Sequence, residues 1–284
     1  MANSIELAKK YVASLDKVYK QASTSSILER PNTMVKEGAN VNEVLLPSIT
    51  VAGLGDYTKN SGYGTSGPTN FSWDTYKLTQ DRGRSLEMDR LDNTESLDMG
   101  VGAMTGEFIR TRVVPEIDAY RYATLAALAG NDVEADLTSS TVLPALDTAL
   151  ATMGDGEVST ENAYIFVSYS TYNAMKNADQ LVFNYDTKGQ DGIARKVASY
   201  DGIPVIKVPQ SRFYTEITLY DGVTGGQEDG GYIKTAVTGK NINFLIVTGN
   251  ASMPVTKLAN PKLHNPDNVV GKDSWVFEYR GLNE

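Results

Sequence analysis

The residues best suited to chemistry are few, and their spacing supports little of it. Gly62-Tyr63-Gly64-Thr65-Ser66-Gly67 matches the dinucleotide fingerprint G-x-G-x-x-G letter for letter. That motif works because a strand precedes it and a helix N-terminus comes after it, so that backbone N–H groups meet the pyrophosphate. Here Pro68 and an alternating, strand-like segment come next instead, and the match lacks the helix end that a phosphate needs. His264 is the only histidine and lies between two prolines in NPKLHNPD. A metal site built on several histidines is therefore excluded, and a lone loop histidine reads as structural or solvated. Asp132, Glu134 and Asp136 alternate, but the glycine of a Ca²⁺ loop is missing, so they read as a solvated turn. Carboxylates are plentiful, which leaves a two-carboxylate hydrolase open on composition, yet no pair falls at the end of a predicted strand. Cysteine is absent, which removes thiol nucleophiles, disulfides and cysteine-based metal sites. Asn70 and Asn250 fit the glycosylation sequon, which is meaningful only on secretion. The expectation is no catalytic residue, no cofactor and no metal: a protein that is not an enzyme.

Bulk charge narrows the partners. The net charge is −9 and the pI about 4.8, against the concentrated Lys and Arg that a nucleic-acid groove needs to displace counterions. An acidic chain can still enclose DNA without gripping it. The first residues contain no apolar core of signal-peptide length, and no stretch approaches a membrane span. A soluble, cytoplasmic product with no membrane partner is expected. Tyrosine outnumbers the other aromatics, 16 against 7 Phe and 2 Trp, as it does where surfaces meet partners.

The elements that must position these residues are laid out unevenly. Apolar spacing from Ile5 to Val18 predicts an amphipathic helix over residues 4–19, packed on its own domain or on a neighbour. The run QASTSSILERPNTM then breaks it. Residues 44–51 read as a strand. A polar arm rich in Gly, Ser, Thr and Tyr comes next, with turns at 60–62 and 66–68. Phe71, Trp73, Thr75 and Lys77 then alternate with Ser72, Asp74 and Tyr76, which predicts a two-stranded ribbon with unlike faces. Such a ribbon is marginal alone and needs a surface to lie on. Residues 74–98 interleave charges of both signs, either as a solvated face or as a charge-complementary seam between subunits. The longest helix-compatible stretch runs over 97–130. Its ridge is Met104, Phe108, Val113, Ile117, Tyr120, Thr124 and Leu128, with one step, Phe108 to Val113, a residue too long. Pro115 comes directly after, which predicts a bend. The second half reads as α/β. Helices are expected near 143–153, 171–178 and 193–199. Strands are expected near 163–168, 202–209, 217–220, 232–237, 242–248, 253–258 and 274–279.

Four phrases, in order, carry a resemblance. EFIRTRVVPEIDAYRYATLAA (107–127), the hairpin of about 54–81, DGIPVIKVPQSRF (201–213) and PVTKLANPKLHNPDNVVGKDSWVFEYRG (254–281) are similar to the major capsid proteins of tailed bacteriophages with the HK97-type fold. The resemblance covers nearly the whole chain. It implies an α+β, HK97-like capsid fold with an N-terminal arm (1–45), an extended β-hairpin loop (46–90) and a peripheral region with a long spine helix (91–136). An axial α/β domain (137–240) and a C-terminal return through the peripheral domain (241–284) complete it. It implies an icosahedral shell around double-stranded DNA, assembled from pentamers and hexamers in the host cytoplasm, with a portal protein and, in some shells, decoration proteins as partners. The extended loop begins near residue 50, too early for a long cleaved scaffolding segment before it, so a separately encoded scaffolding protein and no proteolysis are expected.

Within this resemblance the loop contacts to a neighbouring subunit would fall on Tyr57, Tyr63, Phe71, Trp73 and Tyr76. The charge seam would use Arg82, Arg84, Glu87, Asp89 and Arg90, and the spine would bend at Pro115. An encapsulin compartment is the nearest alternative, and a monomeric α/β enzyme or binding module is the alternative from another class.

Overall fold

The computed structural model describes residues 23–29, 36–38, 40, 42–60, 62, 67–95, 100–178, 199–249, 252–259 and 261–284. The helix expected over 4–19, the helix expected over 193–199 apart from Ser199, and Tyr63 lie outside them. In chain order the strands are β1 Lys36–Glu37, β2 Glu43–Val51, β3 Thr69–Lys77, β4 Gln80–Asp89, β5 Ala163–Ser168, β6 Ser199–Tyr200 and β7 Ile203–Val208. Then come β8 Ile217–Leu219, β9 Tyr232–Lys234, β10 Phe244–Thr248, β11 Thr256–Ala259, β12 Lys262–His264 and β13 Ser274–Asn283. The α-helices are α1 Arg90–Glu95, α2 Gly100–Phe108, α3 Val114–Ala127, α4 Val142–Asp155 and α5 Tyr169–Lys176. The chain divides into two compact units, one of Met1–Glu29 and Met88–Pro254, the other of Arg30–Glu87 and Val255–Glu284.

In the first unit, β10, β5, β7 and β6 form one sheet in that order, with β5 and β7 parallel and β10 antiparallel to β5. Strand alternation divides the side chains of this sheet between two cores. Ile165 and Val167 of β5, Ile203 and Val205 of β7, and Phe244 and Ile246 of β10 pack with Val142, Leu143 and Leu146 of α4 and with Tyr172 and Met175 of α5. Phe166, Ile206, Val208, Leu245 and Val247 point the other way, onto Tyr122 of α3, Phe213, Ile242 and Leu28. Each fully buried side chain of this size contributes roughly 1.5–3 kcal/mol. The AYIFVS run is apolar on both faces because both faces are covered. The β6–β7 turn is Asp201-Gly202 with φ of 48° and 77°. A positive φ at both central residues suits the twist of a tight hairpin, and Asp-Gly tolerates it.

The long helix is continuous but not uniformly α. Between α2 and α3 the segment Ile109–Val113 is a π-helix, and the Val114 N–H donates to the Ile109 carbonyl. A π turn holds one extra residue, which accounts for the over-long step from Phe108 to Val113. Pro115 directly follows this turn, in the first turn of α3, and the widened π turn is where the helix accommodates its ring and missing N–H. The buried face differs from the expected ridge. Val101, Ile109, Val113, Ile117 and Tyr122 are buried, whereas Tyr120 is only half-buried and Leu128 is 78% exposed. The expected ridge holds across the π turn, with Val113 and Ile117 buried, and fails at its end, because α3 stops at Ala127 and Leu128 is its C-cap.

In the second unit, β1, β2 and β3 form an antiparallel sheet. β13 lies between β11 and β12 and also pairs with β4. Val44, Leu78 and Leu282 make its small apolar cluster. Gly83 is required by close approach: a Cβ there would lie 2.9 Å from the Tyr279 carbonyl oxygen. The charged run of β4 hides a ten-residue strand, because charged residues dominate it and only Leu86 and Met88 mark an apolar face.

Candidate assembly surface

The ribbon of β2 and β3 presents two unlike faces, and its register defines them. Pro47 is opposite Trp73, Ile49 opposite Phe71 and Val51 opposite Thr69. Directly opposed residues share a face, so Pro47, Ile49, Val51, Phe71 and Trp73 form one apolar face. Ile49, Val51 and Phe71 are each more than half exposed. Phe71 and Trp73 meet edge to face at 5.8 Å, and the Lys36 ammonium sits 4.0 Å from the Trp73 ring centroid. The other face carries Ser48, Thr50, Asn70, Ser72 and Asp74. Tyr76 opposes Val44 on that second face, so it is separated from Phe71 and Trp73. Tyr57 is exposed in the connection between β2 and β3.

The G-x-G-x-x-G match lies in that same connection. Gly62 and Thr58 exchange backbone hydrogen bonds of 2.8 and 3.1 Å, a tight turn. The next regular element is strand β3, so the motif leads into a strand and not into the helix N-terminus that a pyrophosphate needs. His264 lies in strand β12 rather than in a loop, its Nε2 3.2 Å from Glu278 Oε2. Glu134 is exposed and pairs with Lys240 at 3.3 Å. No group of three or more metal-ligating side chains occurs among the described residues.

The β4 charges separate by strand alternation. Arg82 and Arg84 share one face, while Asp81, Glu87 and Asp89 share the other. The Asp81 carboxylate accepts from Arg280 at 2.8 and 2.5 Å, and this hydrogen bonding holds its pKa below the ordinary value. Glu87 accepts from Lys272 at 2.6 Å and from Ser274 at 2.8 Å, which lowers its pKa likewise. Asp89 accepts from the Leu91 N–H at 2.8 Å, and Arg90 opens α1.

One constellation was not singled out in the sequence. Asp118 of α3 is fully buried. Its carboxylate accepts from the hydroxyls of Ser23 (2.6 Å), Thr24 (3.1 Å) and Ser25 (2.6 Å). It also accepts from the backbone N–H groups of Thr24 (2.9 Å) and Ser25 (3.3 Å), and from Arg212 (3.1 Å). Arg121 donates to Ser25 Oγ at 3.1 Å and pairs with Glu29 at 2.7 Å. Tyr122 donates to Thr24 Oγ1 at 3.0 Å. Burial pushes the Tyr122 phenol well above its ordinary pKa, and the Asp118 charge adds to the shift. The available signal was the helical spacing of Asp118, Arg121 and Tyr122, which places three hydrogen-bonding groups on one face.

No family model matches the chain, and no curated protein matches its sequence. Solved structures match it along nearly its whole length. A chain from Mycobacterium phage Che8 aligns with a TM-score of 0.56 at 10% identity, over 89% of this chain and 88% of that one. A chain from Gordonia phage Cozz aligns at 0.55 and 14% identity, over 91% and 81%. The capsid structure of cyanophage P-SCSP1u aligns at 0.51 and 15% identity, over 90% and 82%. The chain has a phage capsid fold. Within that fold the exposed ribbon presents an apolar face to solvent.

Proposed function

We propose that this chain is the major capsid protein of a tailed bacteriophage, whose copies close into an icosahedral shell around double-stranded DNA. The observation that carries the reading is the apolar face of Pro47, Ile49, Val51, Phe71 and Trp73, exposed on a thin ribbon. Contiguous apolar area of this kind marks an interaction surface. The capsid fold supplies the occupant, a neighbouring copy. Many modest contacts repeated over a closed lattice then give a stable shell. The work is association, not catalysis.

In this reading the ribbon, within 46–90, lies across an adjacent subunit with Phe71 and Trp73 facing it and Tyr57 at its tip. Residues 137–240 form the axial domain that gathers at five- and six-fold centres, while the spine helix and the C-terminal strands form the peripheral domain. The proposed charge seam with a neighbour runs along Arg82, Arg84, Asp89 and Arg90, while Glu87 is bound to Lys272 and Ser274 within its own sheet. A scaffolding protein and a portal protein are the expected assembly partners. Pro115 with its π turn is the expected site of flexure in the spine.

Size-exclusion chromatography and negative-stain microscopy of the purified chain, alone and with a co-expressed scaffolding protein, test the proposal. Megadalton closed shells are expected. A species at the chain mass under both conditions would refute it, and shells that co-purify with an enzyme would favour an encapsulin compartment.

A further inference from the structure

We infer that residues 23–29 form a latch keyed by the Asp118 carboxylate, which holds this segment on α3 and opens at a lower free energy than the sheet beneath it. The attachment is built almost wholly from side chains on one face of α3. Each hydroxyl that reaches Asp118 serves twice. Ser23 Oγ donates to Asp118 and accepts from the Ser26 N–H at 3.1 Å. Thr24 Oγ1 donates to Asp118 and accepts from Tyr122. Ser25 Oγ donates to Asp118 and accepts from Arg121.

The strap's other backbone bonds close on itself, from Leu28 N–H to Ser25 O and from Glu29 N–H to Ser26 O. Among the described residues no backbone-to-backbone bond joins it to the sheet or to α3. Its apolar anchor is Leu28, buried beside Tyr122 and Phe213. A segment tied to the fold by side-chain bonds to Asp118, Arg121 and Tyr122 and by one buried leucine, with no backbone ladder, opens at a lower free energy than the sheet, where ladders and two cores act together.

The chemistry of the key is specific. A buried carboxylate offers only acceptors, and all its donors here belong to the strap or to Arg212. An asparagine at the same place replaces one acceptor with an N–H₂ that faces donors. The hydroxyls can rotate to accept it, but the Thr24 and Ser25 N–H groups and the Arg212 guanidinium cannot. The strap ends at Glu29, the last residue before the chain enters its second unit. Any consequence for assembly rests on the shell reading. The latch itself does not rest on that reading.

Hydrogen exchange of the full-length protein, in whatever assembly it forms, tests this directly. In Asp118→Asn, peptides covering 23–29 should exchange at least about tenfold faster while those covering α3 and β5 keep their wild-type rates. Ser23→Ala/Ser25→Ala, which leaves the buried charges in place, should show the same pattern. Unchanged exchange over 23–29 in both variants would overturn the latch, as would a rise that spreads equally through α3 and β5. A chain that forms no shells while passing this test would refute the proposed function and leave the latch standing.

Discussion

The Val114 N–H reaches back five residues to the Ile109 carbonyl, one residue further than an α-helix allows. The extra residue lies in the exposed stretch Arg110-Thr111-Arg112, so the insertion bulges away from the buried side. Ile109 and Val114 are both buried, and the π turn is what keeps them in phase.

Deleting Thr111 should therefore convert the segment to plain α-helix and leave Ile109 and Val114 four residues apart. Pro115 would then lie inside a regular helix, at a cost of about 3 kcal/mol. Thr111 deletion combined with Pro115→Ala should recover most of that loss. Unfolding midpoints in denaturant compare the two variants. A double variant no more stable than the single deletion would mean that the π turn does not accommodate the proline.

Tyr122 links the strap to the second core, with its ring against Phe166 at 5.3 Å and Phe213 at 5.1 Å and its hydroxyl on Thr24. Tyr122→Phe should cost about 1 kcal/mol, the worth of one hydrogen bond. Tyr122→Ala should cost about 3–5 kcal/mol, because it removes a ring that this core has closed around. Equal losses in the two variants would show that the hydroxyl, and not the ring, carries the contribution.

What the sequence made legible was local and periodic. The run at 163–168 reads as a buried strand because all its neighbours are apolar, and it is β5. Phe71, Trp73 and Thr75 read as one ribbon face because period two is visible over a short window, and the β2–β3 register places them so. The over-long step before Val113 is also visible, but a spacing alone does not distinguish a kink from a π turn. β4 was hidden because charged residues dominate it and only Leu86 and Met88 mark an apolar face. The strap of Ser23, Thr24 and Ser25 was hidden for a deeper reason. A serine-rich run reads as a helix breaker, and its partner Asp118 lies some ninety residues away in the chain, with Arg212 as far again beyond it. Hydroxyls and a carboxylate declare no partner until the fold brings them together.

Acid should loosen the sheet around β13 through two identified carboxylates. Asp81 and Glu87 both titrate below their ordinary values, 3.8 and 4.5, because Arg280 and Lys272 hydrogen-bond their ionised forms. A pKa lowered by folding contributes stability above the unfolded value and loses it as pH falls through the folded one. The contribution should thus be complete above about pH 5 and fade below about pH 4. Arg280→Gln/Lys272→Gln should differ from wild type in unfolding midpoint above that window and converge with it below. A difference that persists unchanged to about pH 2 would assign the effect to packing of the long side chains.

The two faces of the ribbon give the sharpest separation of folding from assembly. Phe71→Asp and Ile49→Asp each place a charge on the apolar face, while Ser72→Asp places the same charge on the polar face one residue away. Ile49 and Phe71 are more than half exposed and Ser72 is half-buried, so each should change the stability of the unassembled subunit by about 1 kcal/mol or less, the Phe71 change including its edge contact with Trp73. If the apolar face is the one buried against a neighbour, an aspartate there must be desolvated without a partner, at a cost of several kcal/mol per contact. That cost recurs at every copy in the lattice. Phe71→Asp and Ile49→Asp should therefore abolish shells by negative stain while leaving a folded subunit with near-wild-type circular dichroism. Ser72→Asp should still assemble. Shells from Phe71→Asp, or their loss in Ser72→Asp alone, would place the contact on the opposite face of the ribbon.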